Sequence, residues 1–382
     1  MFRDVIVMID GLDSWLPASG FSTDFPPDRG AESTASYTPP SNYVAETSLG
    51  KLTLEPYLER RAERRSVVLR EGWRFDMDLN SPLKLGDVAS RVTQPLLNLV
   101  TLVTQRPAVI QKLSVHSNAA PETRAPGYFR PIEVLYPPIG KLEPVTDFRL
   151  PLVSLAEISS DFNELITRWL AVSADNDLGP VLGSFFGIQY APPGFVELRF
   201  LTMATALESY HERRHPGATQ IPSETFDRRT SILAELASNS EDLRSVDRKW
   251  LKGVLKSANQ ASLHKRLAGL LNELEDALPH PIPEVGLVSE KLATTRNHLA
   301  HGSDELAERA LTGLDRFWGE QLLHLLLTTL LLKELGLSGA FIAESWKKFP
   351  WYAWAWEGIG TIDFSQLPIR SLDSERVGRH CC

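Results

Sequence analysis

Arg296-Asn297-His298-Leu299-Ala300-His301-Gly302 closes a helical pattern that begins at Leu287, and it decides how the C-terminal half of this chain is read. Val288, Leu292, Thr295 and Leu299 fall within an arc of about 60° at 100° per residue, so they form a buried stripe. Arg296 stands on one shoulder of that stripe, Asn297 and His301 share the opposite face at i and i+4, and Gly302 ends the helix. A histidine can move a proton at neutral pH, and an arginine can hold a phosphate that is gaining charge, which is what metal-free cleavage of RNA requires. Spacing alone proves little, because a chain with 9 His and this many arginines contains roughly one Arg-x4-His pair by chance. Five residues also turn a helix through about 500°, leaving Arg296 and His301 some 140° apart. One regular helix cannot close both groups on one phosphate; two copies about a two-fold axis can, so the motif predicts a homodimer.

Outward from this helix the pattern stays helical. Ser154 to Ala174, Phe195 to His215, Ser223 to Ala237, Glu241 to Leu278, Leu287 to Ala300 and Asp304 to Leu335 are predicted helices, broken by Pro279, Pro281 and Pro283. Ser303 before Asp304-Glu305 reads as an N-cap, and Gly336 after Leu335 as a C-cap. Residues 151–348 are therefore expected to form a helical bundle. In 349–382, Trp351, Trp354 and Trp356 are expected to pack back on that bundle, and Ser371 to Cys382 to fray.

Residues 1–150 read differently. Ser66 to Arg70, Trp73 to Met77 and Pro131 to Tyr136 alternate as strands do, while Pro17 to Pro40 reads as a long loop. One helix, Lys84 to Gln105, interrupts the strands, and Pro95 should kink or split it. No internal repeat is present. The expected fold class is α+β, a β-rich N-terminal domain followed by an all-α bundle.

Bulk properties exclude several functions. A formal net charge of −8 argues against a general nucleic-acid coat protein, so any RNA contact needs a local basic patch. The only cysteines, Cys381 and Cys382, permit neither a disulfide framework nor a multi-cysteine zinc site. The longest mainly apolar run, Leu322 to Leu332, is too short to span a bilayer, and the N-terminus lacks a signal-peptide pattern, so the expected setting is cytoplasmic.

Arg244, Arg248, Lys252 and Lys256 recur every four residues as one cationic ridge, which reads as a solvated face or as an RNA-backbone track. Arg60, Arg61, Arg64 and Arg65 form a second cluster. A competing motif is His211-Glu212-Arg213-Arg214-His215, which matches the H-E-x-x-H helix of zinc hydrolases, with His211 and His215 as metal ligands. Its chance expectation is only about 0.02. Against it stand two arginines beside the cation, Pro216 pulling His215 out of helical geometry, and no third histidine at short spacing. The alternative is the polar end of a core helix whose Glu208 or Glu212 pairs with an arginine.

Arg296-Asn297 and His301 before Gly302, on the penultimate long helix of an α-bundle, resemble the signature of the HEPN superfamily, and of its ApeA-like branch in bacterial anti-phage defence in particular. Phe200 to His211 resembles that branch's first long helix. Leu12-Asp13-Ser14-Trp15 with Ser19-Gly20-Phe21 resembles part of its N-terminal β-rich domain. The chain begins almost on that segment, so the domain is expected to be truncated at its start. The resemblance implies a metal-independent endoribonuclease without cofactor. His301 would be general base or acid, Arg296 would stabilise the phosphorane, Asn297 would orient either, and the product would be a 2′,3′-cyclic phosphate. Single-stranded loops such as those of transfer RNA are the implied substrate, a phage-derived trigger the implied ligand of the N-terminal domain. A non-catalytic HEPN interaction module is the alternative, and a zinc hydrolase on His211 and His215 the second.

Overall fold

The computed structural model describes residues 1–16, 19–24, 34–116, 131–135, 150–191, 194–240 and 242–364. Tyr136, Cys381, Cys382, the rest of Ser371 to Cys382 and part of Pro17 to Pro40 lie outside these residues.

The N-terminal region is β-rich. Its strands are β1 (Phe2–Ile9), β2 (Phe21–Asp24), β3 (Thr34–Tyr37), β4 (Tyr43–Glu46), β5 (Gly50–Glu63), β6 (Ser66–Leu83), β7 (Ile110–His116) and β8 (Ile132–Val134). Six form one antiparallel sheet in the order β4-β5-β6-β1-β7-β8. Strict alternation places Val5, Val7 and Ile9 of β1 inside, and the same period buries Phe75, Met77 and Leu79 of β6. The strand β1 precedes the Leu12–Trp15 segment and lies between β6 and β7. That segment is a short helix, α1 (Leu12–Trp15), with Leu12 and Trp15 buried. The hairpin β5–β6 is unbroken from Gly50↔Leu79 to Glu63↔Ser66, which puts Arg60, Arg61, Arg64 and Arg65 at its exposed tip.

The stretch Pro17 to Pro40, expected to be a loop, carries the hairpin β2–β3 instead. Its polar composition hides a directly opposed Phe21–Tyr37 pair with ring centroids 4.9 Å apart.

The interrupting helix runs as α2 (Leu85–Val88), a π-helical turn at Ala89–Thr93, and α3 (Gln94–Thr104). Pro95 lacks an N–H and its ring would press on the carbonyl of Arg91, and the wider turn relieves that conflict without ending the helix. The carbonyl of Pro95 accepts a bond from Trp169 Nε1 at 2.7 Å.

The helices that follow are α4 (Leu155–Ile158), α5 (Phe162–Ala174), α6 (Gly179–Tyr190), α7 (Val196–Arg214), α8 (Ser223–Asn239), α9 (Ser245–Ser257), α10 (Leu263–Glu273), α11 (Val285–His301), α12 (Asp304–Ala307), α13 (Gly313–Glu334), α14 (Gly339–Lys348) and α15 (Pro350–Ile359). Ser154 caps α4 through a capping box with Glu157. Helix α6 escapes the periodicity test because Val181, Leu182, Phe185 and Phe186 make it apolar on most sides. The single helix expected over Glu241 to Leu278 is two, since Asn259 turns the chain by bonding both polar groups of Ile221, and Ser262 then caps α10. Asp304 to Leu335 also divides, with Gly313 at φ +51° starting α13; Gly336, at φ +87°, ends it as expected. Ser303 sits at the N-cap of α12 but makes no capping side-chain bond.

The described chain forms two compact units. The first comprises Met1–Gly194, Asp276–Pro279 and Thr328–Ala353, and the second comprises Phe195–Glu275, His280–Leu327 and the segment from Trp354 onward. Trp15, Phe75 and Trp169 lie fully buried in the first, where Trp346 Nε1 donates to Thr329 Oγ1 at 3.0 Å. Phe200, Leu267, Leu292 and Leu322 do so in the second, where Trp354 stacks edge-on against Trp318 at 4.8 Å.

Gly50 has φ +146°, and a Cβ there would come within 2.0 Å of the Asp78 carbonyl oxygen across the β5–β6 ladder. Gly50→Ala is expected to lower unfolding stability by about 2 to 3 kcal/mol, read from urea denaturation.

Candidate active site

Helix α7 buries Phe200, Met203, Ala204, Leu207 and Tyr210, and α11 buries Val288, Leu292 and Thr295, so each presents an apolar row within the helical unit. The buried set of α11 is wider than the stripe read from the sequence: Ser289, Lys291, Ala293 and Thr294 join it, while Leu299 is only half-buried. Thr295 is satisfied inside, its hydroxyl donating to the Lys291 carbonyl and accepting from the Leu311 N–H, both at 2.8 Å.

Directly after the buried Thr295 stands Arg296, half-buried. Its Nη2 donates to Glu208 Oε2 of α7 at 2.7 Å, and its Nη1 to Asn297 Oδ1 at 3.0 Å, while Nε is buried without a bonding partner. A guanidinium has five N–H groups, so these two bonds leave one N–H on each terminal nitrogen. Glu208 thus is the acid that pairs with an arginine, as its position on α7 allowed, and the arginine is that of the motif. Glu212 also pairs, with Arg266 at 3.7 Å. Sequence spacing anticipated that these acids meet arginines; which arginine each meets depends on how α7 lies against α10 and α11.

His301 is the last residue of α11 and is exposed. Gly302 takes the left-handed conformation at φ +62° and returns its N–H to the His298 carbonyl at 2.8 Å. His298 Nδ1 lies 3.1 Å from the Ser303 carbonyl, so this histidine braces the turn. His301 therefore projects from a well-defined helix end.

The competing motif is engaged in other ways. His211 is buried, its ring packs on His215 at 4.7 Å, and His215 Nε2 lies 3.0 Å from Glu273. His215 has left the helix, at φ −124° and ψ 62°, as Pro216 dictates. Among the described residues no group of three His, Cys, Asp or Glu side chains could hold a metal ion. Burial, followed by the neighbouring His215 and Arg266 charges, lowers the His211 pKa to about 4.

Arg244, Arg248, Lys252 and Lys256 lie exposed along α9, with Arg244 as its N-cap, on a different helix from Arg296 and His301. Arg244 pairs with Asp247 at 3.0 Å, and Arg248 donates to the Ser240 carbonyl at 2.9 Å. Lys252 and Lys256 make no ion pair among the described residues.

Two family models match the chain: ApeA N-terminal domain 1 over residues 1–169 and Apea-like HEPN over residues 201–340. Together they span most of the sequence, and the chain belongs to the ApeA-like HEPN proteins. No curated protein and no solved structure matches it. No described helix is long and apolar enough to cross a membrane.

Removing Glu208 leaves a half-buried guanidinium without its carboxylate, so Glu208→Ala is expected to cost about 1.5 kcal/mol, whereas His301→Ala at an exposed helix end should stay within about 0.5 kcal/mol; urea midpoints separate the two. For His211 the unfolded chain takes up a proton below its ordinary 6.5, while the folded imidazole refuses one until about 4. Between those values the unfolded state binds more protons, so stability falls on acidification. His211→Asn should weaken that fall, measured as the difference between urea midpoints at pH 7 and pH 5, and an unchanged difference would contradict the assignment.

Proposed function

We propose that this protein is a metal-independent endoribonuclease of HEPN type acting in anti-phage defence. The observation that carries the reading is the end of α11, where Arg296 is oriented by Glu208 and Asn297 while His301 stands exposed one turn later.

The chemistry follows from these groups. A histidine takes the proton of a ribose 2′-hydroxyl as its oxygen attacks the adjacent phosphorus. The P–O5′ bond breaks, a proton passes to O5′, and the products are a 2′,3′-cyclic phosphate and a 5′-hydroxyl. Arg296, with N–H groups left on both terminal nitrogens, neutralises the charge that grows on the non-bridging oxygens. Asn297 fixes the guanidinium plane. Because Arg296 and His301 lie about 140° apart on one helix, the working site combines groups from two copies in a homodimer.

Arg244, Arg248, Lys252 and Lys256 would hold RNA backbone, Lys252 and Lys256 foremost since Arg244 and Arg248 already have partners. Transfer-RNA loops are the proposed substrate and the cytoplasm the proposed setting. Residues 1–150 would sense a phage-derived trigger, 151–348 would form the nuclease bundle, and 349–382 a Trp-rich extension. A non-catalytic interaction module is the second reading, favoured by the Glu208–Arg296 pair, which gives the arginine a structural role as well.

With total cellular RNA as substrate, Arg296→Ala and His301→Ala are each expected to lower cleavage at least about a hundredfold with folding intact. EDTA should leave wild-type cleavage unchanged and cut ends should carry the cyclic phosphate. Cleavage lost in EDTA and restored by zinc would transfer the chemistry to His211 and His215; no cleavage at all would leave the interaction module.

A further inference from the structure

Helices α8 and α9 leave the bundle as a hairpin between α7 and α10. Its base is clasped: Thr219 bridges Gln260, Gln220 N donates to the Asn259 carbonyl at 2.8 Å, and Lys265 Nζ donates to the Gln220 carbonyl at 2.7 Å. The start of α8 thus meets the end of α9, and the two helices run antiparallel.

Beyond the clasp the hairpin exposes large apolar side chains. Ile232, Leu233 and Leu236 on α8 are 52%, 44% and 63% exposed, and Val246, Trp250 and Val254 on α9 are 70%, 67% and 44% exposed. The less exposed side chains are Thr225, Phe226, Thr230 and Ala237 on α8 and Asp247, Leu251 and Leu255 on α9, and Phe226, Thr230, Ala237, Leu251 and Leu255 among them define the inward direction of the pair. At 100° per residue, the exposed apolar row is offset from the inward row by about 90° on α8 and about 120° on α9, in the same rotational sense. In an antiparallel pair that places both rows on one side of the hairpin. The cationic row of Arg244, Arg248, Lys252 and Lys256 is centred about 180° from the apolar row of α9, so it points to the other side.

We infer that this apolar face is the dimer contact, its occupant the same face of a second copy of this chain, the two hairpins closing into a four-helix bundle. The area supports this occupant. The six side chains together expose on the order of 600 Å², against about 800 Å² that each partner contributes to a standard stable interface. Charge sorting supports it too: the cationic rows lie outside the contact, so like charges are not buried against one another. An RNA strand would use the cationic side and leave six apolar side chains in water. The inference rests on the two-copy reading of the nuclease site for its partner, and on the hairpin alone for its location.

The test is sedimentation velocity of the full chain as wild type, Leu236→Glu and Trp250→Glu, with circular dichroism to check folding. A wild-type dimer is expected, with each substitution weakening it at least tenfold. Hydrogen exchange of the wild type needs no variant: amides of α8 and α9 should slow as concentration rises through the dimer range. Dimers indifferent to both substitutions, or exchange protection confined to other helices, would overturn the inference. So would a monomeric wild type, including one whose apolar face instead binds anionic vesicles or oligouridine in a Trp250-dependent way. Cleavage assays separate this inference from the nuclease reading. A monomeric, folded variant that still cleaves RNA removes the two-copy site and leaves the interface standing, whereas an unaffected dimer that cleaves does the reverse.

Discussion

The ion pair between Glu208 of α7 and Arg296 of α11 is the constraint around which the helical unit is arranged. It joins two helices that bury apolar rows, Leu207 on α7 and Leu292 on α11 among them, and a half-buried guanidinium there needs a carboxylate to accompany it out of bulk water. With Nη2 on Glu208 and Nη1 on Asn297, the arginine has one orientation. The helix then rotates away, and His301 emerges on another side where Gly302 ends the turn. Arg296 and His301 of a single chain therefore face different directions, and it is this helix geometry from which the proposed two-copy site is argued.

The same logic of faces organises α8 and α9. A chain with net charge −8 carries a cationic row on α9, and the apolar row of the same helix lies opposite to it. Both rows stay exposed, while Leu251, Leu255 and Ala237 are the less exposed side chains of the hairpin. The two rows therefore lie on separate sides of one element, and covering the apolar side would bury no member of the cationic row.

In both units packing resolves local conflicts that composition leaves open. Pro95 remains inside a helix because a π turn takes up its ring and Trp169 bonds its carbonyl. His211 and His215, whose spacing suits a metal, are instead placed among Glu273, Arg266 and each other. Desolvation keeps His211 neutral, and the helix breaks before His215 can align beside it. The half-buried His324 follows the same rule, its pKa lowered to about 3 by desolvation and then by the Arg199 charge.

The α+β order, most helices after residue 154, the helix-ending roles of Gly302 and Gly336, and the pairing of Glu208 with an arginine were all legible in the sequence, because periodicity, caps and charge act over a few residues. Helix α6 was not legible, being apolar on most sides, nor was the β2–β3 hairpin, held by one aromatic pair inside a polar stretch. The turn at Asn259 was hidden as well, since its cause is a bond to Ile221, 38 residues away. By itself the sequence determined which groups α11 carries and how far apart they point, as rotation per residue is a local property. Only the tertiary structure decided that Glu208 is the partner of Arg296, that His211 is buried, and that the apolar rows of α8 and α9 share one side, because each depends on which helix lies beside which.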